Sequence, residues 1–340
     1  MKKILVTGGL GYIGSHTVVE LQSNGFEVIV LDNLSNSSLE VLKGIHAISG
    51  ITPDFEKLDL KDKLKVSEFF ERNSGINGII HFAASKAVGE SVEDPLLYYE
   101  NNINTLVYVL QECKKHQISN FIFSSSCTVY GEPDCLPITE EAPVKKATSP
   151  YGNTKQISEE IIYDLCTVSK LNSIALRYFN PIGAHESSEI GELPLGVPLN
   201  LVPFITQTAA GVREQLLVFG SDYPTIDGSC VRDYIHVVDL AKAHVVALKR
   251  LLEGTNVTNF EVFNLGTGRG SSVLEVVNAF EKVTHQKLNY KIVERRPGDV
   301  ISVYADTKKA NDVLGWKTEK SMEDALFTAW NWEKKVRNLK

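Results

Sequence analysis

Thr7-Gly8-Gly9-Leu10-Gly11-Tyr12-Ile13-Gly14 is the stretch whose reading decides the fold. The apolar run Lys3-Ile4-Leu5-Val6 enters it and reads as a buried strand. Tyr12 to Leu21 leave it and read as a helix. Gly9, Gly11 and Gly14 have the G-x-G-x-x-G spacing. In that pattern one glycine permits a tight turn, one lets backbone approach a pyrophosphate and one allows close helix–strand packing. The helix start then offers free N–H groups and the positive end of its dipole to phosphates. A glycine-rich turn can also stand without a ligand, and an acid after a strand can be a plain turn residue. Asp32 favours the ligand. It ends a second apolar run, Val28-Ile29-Val30-Leu31, about 20 residues past the glycines, where a carboxylate accepts hydrogen bonds from an adenosine ribose. A carboxylate there repels a 2′-phosphate, so the expected cofactor is NAD and not NADP.

Strand-like and helix-like patterns alternate outward from this turn as far as about residue 180. Strands are expected at Phe55–Asp59, Gly78–Ala83, Asn120–Ser125 and Ser173–Tyr178, and helices at Leu64–Arg72, Leu96–His116 and Tyr151–Ser169. Asn33–Ser38 and Gly131–Ser149 read as loops. This alternation predicts an α/β fold, a Rossmann-type doubly wound parallel sheet with right-handed crossovers. Its ligand belongs at the carboxyl ends of the strands, so Thr7, Asp32, Asp59, Ala83, Ser125 and Phe179 should line one crevice. Beyond residue 180 the elements shorten. Asn180–Pro198 reads as loop; helices are expected at Leu201–Ala210, Val238–Leu252, Val273–Val283, Thr307–Leu314 and Met322–Val336, and strands at Leu216–Phe219 and Phe260–Leu265. The expected division is an NAD-binding domain over 1–180, with a returning segment near 232–265, and a smaller C-terminal α/β substrate domain over 181–340.

The bulk numbers agree with such a fold. At 340 residues, 43% hydrophobic and 23% charged, the chain can bury two substantial cores. A net charge of −7 argues against a general nucleic-acid binder. No apolar run has the length of a membrane span, and Met1-Lys2-Lys3 leads directly into the first strand, so a cytoplasmic protein is expected. The five cysteines are scattered and form no C-x-x-C, suggesting neither a disulfide framework nor a zinc site.

The chemistry-bearing residues fall in the same crevice. Tyr151 and Lys155 lie four apart at the start of a helix, hence on one face. A phenol titrates near ~10, too high for a base at neutral pH. A neighbouring ammonium and a cationic nicotinamide would lower that value and make the pair a general base. Ser126, in Ser124-Ser125-Ser126-Cys127-Thr128, follows a strand of the same sheet and could hydrogen-bond a reacting hydroxyl. Each feature has a plainer reading: an amphipathic helix with a stem-burying lysine, and serines that satisfy backbone at a strand end. Their convergence on one crevice favours a site.

These residues resemble the extended short-chain dehydrogenase/reductase superfamily: Thr7-Gly8-x-x-Gly11-x-x-Gly14, the serine strand end and Tyr151-x-x-x-Lys155. Further stretches are similar, more narrowly, to the UDP-glucose 4-epimerase family. They are Ala87–Ser91, Arg177–Pro181, Val231–His236 and Arg295-Arg296-Pro297-Gly298-Asp299. The resemblance covers nearly the whole chain. It implies an isomerase that epimerises UDP-hexoses at C4 through a transient 4-keto sugar, with NAD retained as a prosthetic group. It places Gly8, Gly11, Tyr12, Ile13, Gly14, Asp32, Asn33, Asn36, Asp59, Leu60, Phe82, Lys86, Asn101, Tyr151, Lys155 and Phe179 around NAD. Tyr151, Lys155 and Ser126 would be catalytic. Ser126, Thr128, Asn180, Asn200, Leu201, Arg232, Arg296, Asp299 and Val303 would hold the UDP-sugar; guanidinium groups suit a diphosphate.

Several finer expectations follow. Asp233 is read as a structural partner of Arg232, and His81 and His236 as structural. Related 4,6-dehydratases carry an Asp-Glu pair where Cys127-Thr128 stand, so dehydration, which needs an acid and a base there, is not expected. Val303 replaces a bulky tyrosine of the glucose-restricted bacterial relatives, which implies room for a 2′-N-acetyl group. The helices Leu96–His116 and Tyr151–Ser169 form an intersubunit four-helix bundle in relatives, implying a homodimer. Two rival functions stay open at this point: another NAD-linked nucleotide-sugar enzyme, such as a reductase or decarboxylase, and a non-catalytic NAD-sensing regulator.

Overall fold

A computed structural model describes residues 1–296 and 299–339. Its centre is a seven-stranded, all-parallel sheet. The strands are β1 (Lys3–Thr7), β2 (Glu27–Asp32), β3 (Asp54–Lys57), β4 (Ile76–His81), β5 (Asn120–Ser124), β6 (Asn172–Tyr178) and, after an excursion, β11 (Phe260–Leu265). Their spatial order is β11-β6-β5-β4-β1-β2-β3, so the winding reverses between β1 and β4. The helices α1 (Tyr12–Ser23), α2 (Glu40–Ser49), α3 (Lys63–Arg72), α4 (Val88–Glu93), α5 (Pro95–Lys115) and α6 (Pro150–Val168) alternate with these strands.

Strand periodicity explains the two faces. Successive side chains of a strand point to opposite sides, and both sides of a parallel sheet must be covered. Ile4, Val6, Val28, Val30, Ile80 and Ile122 meet Val18 and Leu21 of α1 on one face. Leu5, Ile29, Leu31, Ile79, Phe121 and Phe123 meet Phe69 and Phe70 of α3 and Leu106, Val109 and Leu110 of α5 on the other.

The rest of the chain contains β7 (Asn180–Ile182), α7 (Leu201–Ala209), β8 (Leu216–Phe219), β9 (Val231–Arg232), β10 (Tyr234–His236), α8 (Val237–Leu252), β12 (Ser271–Ser272), α9 (Val273–Thr284), β13 (Tyr290–Val293), β14 (Ser302–Val303) and α10 (Met322–Arg337). Helix α8 returns to the first face of the sheet through Leu240, Ala243, Ala247 and Leu248. A separate core gathers Val202 and Ile205 of α7, Val276 and Phe280 of α9, and Leu326 and Trp330 of α10.

Two expectations are corrected. Helix α2 was not anticipated: Gly44 in its middle lowers helix propensity, yet a Cβ there would lie 2.4 Å from the Glu189 carbonyl oxygen, so a close loop requires the glycine. Within the expected loop 180–198, Asn180–Ile182 instead pairs in parallel with Tyr234–His236. The expected helix Thr307–Leu314 is present from residue 308, its last part widening into a π-helical turn at Ala310–Leu314 closed by Gly315 in the left-handed conformation.

Candidate active site

The crevice forms where the chain leaves the carboxyl ends of the parallel strands. At its floor the glycine turn is built by close approach. Gly8, not Gly9, takes the left-handed conformation (φ +68°), and a Cβ there would stand 2.9 Å from the Ala83 nitrogen. A Cβ on Gly14 would stand 2.3 Å from the Gly8 carbonyl oxygen. Gly9 has a different constraint, with Val30 Cγ1 2.8 Å from where its Cβ would be. Gly11 opens α1 in extended conformation without a capping side chain, so the first amides, on Tyr12 and Ile13, can receive an anion. Asp32 is buried at the end of β2. Its Oδ2 accepts from the Leu10 N–H (3.1 Å), and its Oδ1 from the Leu34 N–H (2.9 Å) and the Ser37 hydroxyl (2.8 Å). A carboxylate offers about four acceptor positions, so capacity for a ribose hydroxyl remains after these three bonds. Asp32 is thus both the turn residue and a competent ribose acceptor.

The walls of this half come from the next loops. Asn33 Nδ2 donates to Asp59 Oδ2 at 3.4 Å, Leu60 is buried beside it in the chain, and Asn36 is exposed on the loop after β2. Phe82 follows β4, its ring 4.7 Å from that of His244. Asn101 Nδ2 donates to Ser85 Oγ (3.1 Å). The neighbouring Asn102 clamps the same loop, donating to the Ser85 carbonyl and to Thr154 Oγ1 of α6, both at 3.0 Å.

Tyr151 and Lys155 are set by the start of α6. Ser149 caps it, accepting from the Gly152 N–H at 3.1 Å, and Pro150 takes the first turn, where its missing N–H costs nothing. Both side chains are buried on the sheet-facing side. Lys155 Nζ donates to the Ser124 carbonyl (2.7 Å) and lies 4.8 Å over the Phe123 ring and 5.9 Å from the centroid of Tyr151. Burial lowers its pKa to about 8, with Glu159 opposing the shift. The expected lowering of the Tyr151 phenol is not realised by the chain itself. Burial, reinforced by Tyr178, pushes it well above its ordinary value, against a smaller opposing hydrogen bond with Ser126. The physical reason is burial: the loss of water around the phenol outweighs what the neighbouring groups of the chain return, while the Lys155 ammonium donates to the Ser124 carbonyl. Ser126 also caps the 3₁₀ turn Cys127–Tyr130, accepting from the Thr128 N–H at 3.2 Å. Among the described residues Thr128 Oγ1 is buried without a partner.

The opposite wall carries the other expected residues. Phe179 and Val303 pack with Val129, Tyr130, Ile138 and Ala305 in a small cluster beside the serine strand end. Val303 is paired in register with Arg232. Asp299 lies between two guanidinium groups, 2.6 Å from Arg296 and 3.8 Å from Arg232. The Pro297 and Gly298 of the quoted motif lie outside the described residues. Asn200 stands just before Leu201 at the start of α7 without capping it; its side chain instead donates to Glu192 Oε1 (2.6 Å), which is also 3.7 Å from Lys86 Nζ. Asn180 opens β7, its N–H donating to the Asp233 carbonyl (2.9 Å).

Asp233 does not partner Arg232. Its carboxylate accepts from the Thr267 N–H and hydroxyl, the Gly268 N–H and the Ala305 N–H at 2.7–3.2 Å, tying together two returning loops. Burial raises its pKa and those donors oppose the rise. His81 bonds Thr7 Oγ1 (2.8 Å), and His236 caps α8 by accepting from the Val238 N–H, so both are structural as expected. Sequence reading missed the roles of Glu159, Arg177 and Glu192. The first two carried a signal: Glu159 continues the four-residue spacing of Tyr151 and Lys155, and Arg177 is a charge inside an apolar strand.

A family model described as GDP-mannose 4,6 dehydratase matches residues 5–327. The UDP-glucose 4-epimerase of Bacillus subtilis (strain 168) is 51% identical over 331 residues, 97% of this chain and 96% of that protein. Among solved structures, the UDP-glucose-4-epimerase of Stenotrophomonas maltophila, with bound NAD and formylated UDP-arabinopyranose, has a TM-score of 0.95 at 43% identity and covers 99% of both chains. The UDP-Glc/GlcNAc 4-epimerase of Campylobacter jejuni has a TM-score of 0.84 at 36% identity, covering 98% of this chain and all of that one (100%).

Proposed function

This chain belongs to the UDP-glucose 4-epimerase family, and on that premise we propose that it is an isomerase interconverting UDP-hexoses at C4 with tightly held NAD. The observation that carries the reading is one crevice combining a glycine turn shaped for a diphosphate with buried Tyr151, Lys155 and Ser126. The glycines fit the cofactor because Cβ atoms at Gly8 and Gly14 would collide with the Ala83 nitrogen and the Gly8 carbonyl oxygen, so only glycine lets the turn close tightly at the start of α1, where the Tyr12 and Ile13 amides can receive a phosphate. The cofactor's chemistry is a reversible two-electron acceptance from C4, which leaves a transient 4-keto sugar. The chain's own residues move the proton and hold the rest. Tyr151 takes the proton of the 4-hydroxyl and returns it, and Ser126 hydrogen-bonds that oxygen. Lys155 holds a ribose and adds positive charge beside the phenol, which deprotonates only when further positive charge joins it. Arg232 and Arg296 bind the diphosphate, and Asp299, 2.6 Å from Arg296 and 3.8 Å from Arg232, offsets their positive charge.

The dehydratase description of the broad family model does not extend to the chemistry here. Cys127 and Thr128 supply no carboxylate, and burial raises the Cys127 thiol to about 12, so neither residue is an acid–base pair for elimination. Val303 leaves the sugar pocket without a bulky ring, which supports turnover of UDP-GlcNAc and UDP-GalNAc beside the unacetylated pair. Residues 1–180 with the segment returning near 232–265 form the cofactor-binding part, and 181–340 mainly the sugar-binding part. The protein works in the cytoplasm as a homodimer through α5 and α6, where Leu96, Tyr163 and Val168 are exposed; light scattering in solution tests that mass. The deciding experiment adds UDP-galactose to purified protein without external NAD. UDP-glucose should form with no net reduced cofactor, and NAD should be recovered from the denatured protein. A protein lacking NAD and unable to bind it would end the reading.

A further inference from the structure

Glu159 lies one turn beyond Lys155 on the same face of α6 and is itself buried. Its carboxylate accepts the Ser125 hydroxyl on one oxygen and closes a buried pair with Arg177, whose Nε donates at 3.0 Å and whose Nη2 donates at 2.5 Å. Ser125 has no exposed surface and stands between Ser124, whose carbonyl receives Lys155, and Ser126. Arg177 precedes Tyr178, whose hydroxyl meets Ser124 Oγ at 2.9 Å, and it stacks 4.8 Å over Tyr130. One carboxylate therefore joins α6, the end of β5 and the end of β6, each of which presents a group to the crevice. We propose that Glu159 is a positioning residue for proton transfer at Tyr151, acting through Ser125 on the serine strand end and through its charge on Lys155. This rests on the epimerase reading above. A buried ion pair is weak evidence for stability, since an apolar pair of similar volume often serves as well. The serine link and the alignment with Lys155 point instead to placement.

The test compares Ser125→Ala, Glu159→Gln and the paired replacement Glu159→Met with Arg177→Met, all as NAD-containing protein. Ser125→Ala keeps the ion pair and cuts only the tie to the strand end. It should keep its melting temperature and NAD content and lose about tenfold in kcat with KM little changed, since small misplacements of reacting groups are costly. Glu159→Gln should move the alkaline limb of kcat to lower pH, because the anion that supports the Lys155 ammonium is gone. The other titratable groups facing Lys155 are Tyr151 on α6 and His81 on β4, with Tyr178 of β6 reaching it through Ser124; His81, at about 3, is neutral throughout that range. The paired replacement should recover melting temperature but not kcat. Wild-type kcat and pH profile in Ser125→Ala and in any folded Glu159 variant would overturn the inference. So would recovery of kcat together with stability in the paired replacement. An inactive wild-type protein would instead remove the epimerase reading, and this inference with it.

Discussion

Tyr151 carries a phenol that its own surroundings keep protonated, so its usefulness depends on charge arriving beside it. Tyr151→Phe keeps the ring that packs edge-on to Tyr98 and removes only the proton acceptor. Turnover should fall by at least about 10²-fold, while NAD, measured in the supernatant of denatured protein, stays stoichiometric. A sensor that only bound NAD would show no such loss in its signal. The proposed sugar choice turns on Val303. It is 9% exposed, adjoining Phe179 and in register with Arg232. Val303→Tyr should abolish interconversion of UDP-GlcNAc and UDP-GalNAc and leave UDP-galactose turnover within a few-fold. No UDP-GlcNAc turnover in the parent protein would show that another group already closes the pocket.

Among the elements, the β1–α1 turn has the least freedom. Gly14 sits where the first turn of α1 crosses the Gly8 carbonyl, and a methyl group there would be 2.3 Å from that oxygen. Gly14→Ala must push α1 away from the strand end. It should cost about 1–3 kcal/mol by overpacking, read from chemical denaturation, and release NAD on gel filtration. Retention of NAD at wild-type stability would show that the turn yields more easily than its geometry suggests. By contrast, β7 and β10 are three residues each and depend on one another: Asn180–Ile182 would have no reason to extend without Tyr234–His236 alongside.

At the scale of the whole molecule, four buried histidines are held neutral by the fold and should make stability fall in acid. His16, His81 and His236 are each held down to about 3 and His244 to about 4, burial being the first cause in every case. Their folded values lie below the unfolded value near ~6.5, so the unfolded chain binds more protons once pH drops beneath that point. The stability these neutral rings contribute is complete above pH ~6.5 and falls as pH is lowered toward the folded values. Each ring should remove about 1.4 kcal/mol per pH unit over that window. Urea midpoints measured from pH 7 to pH 4.5 should drop steeply; a flat profile would mean the rings protonate in place.

How much of this was legible in the sequence depended on the range of the interaction. The parallel sheet, its helices α1, α3, α5 and α6, the glycine turn, Asp32 and the Tyr151–Lys155 pair were readable because each is written in neighbours a few residues apart: strand alternation, helical spacing, a capping serine before a proline. Tertiary structure alone decided that Asp233 ties Thr267, Gly268 and Ala305 instead of Arg232, that Asp299 pairs with both Arg232 and Arg296, and that Glu159 reaches Ser125 and Arg177. It also decided that the Lys155 ammonium donates to the Ser124 carbonyl and that burial leaves the Tyr151 phenol high. A carboxylate taken out of water bonds whichever donors the fold brings within reach, and a buried charge is tuned by distance and direction, neither of which is encoded by separation along the chain.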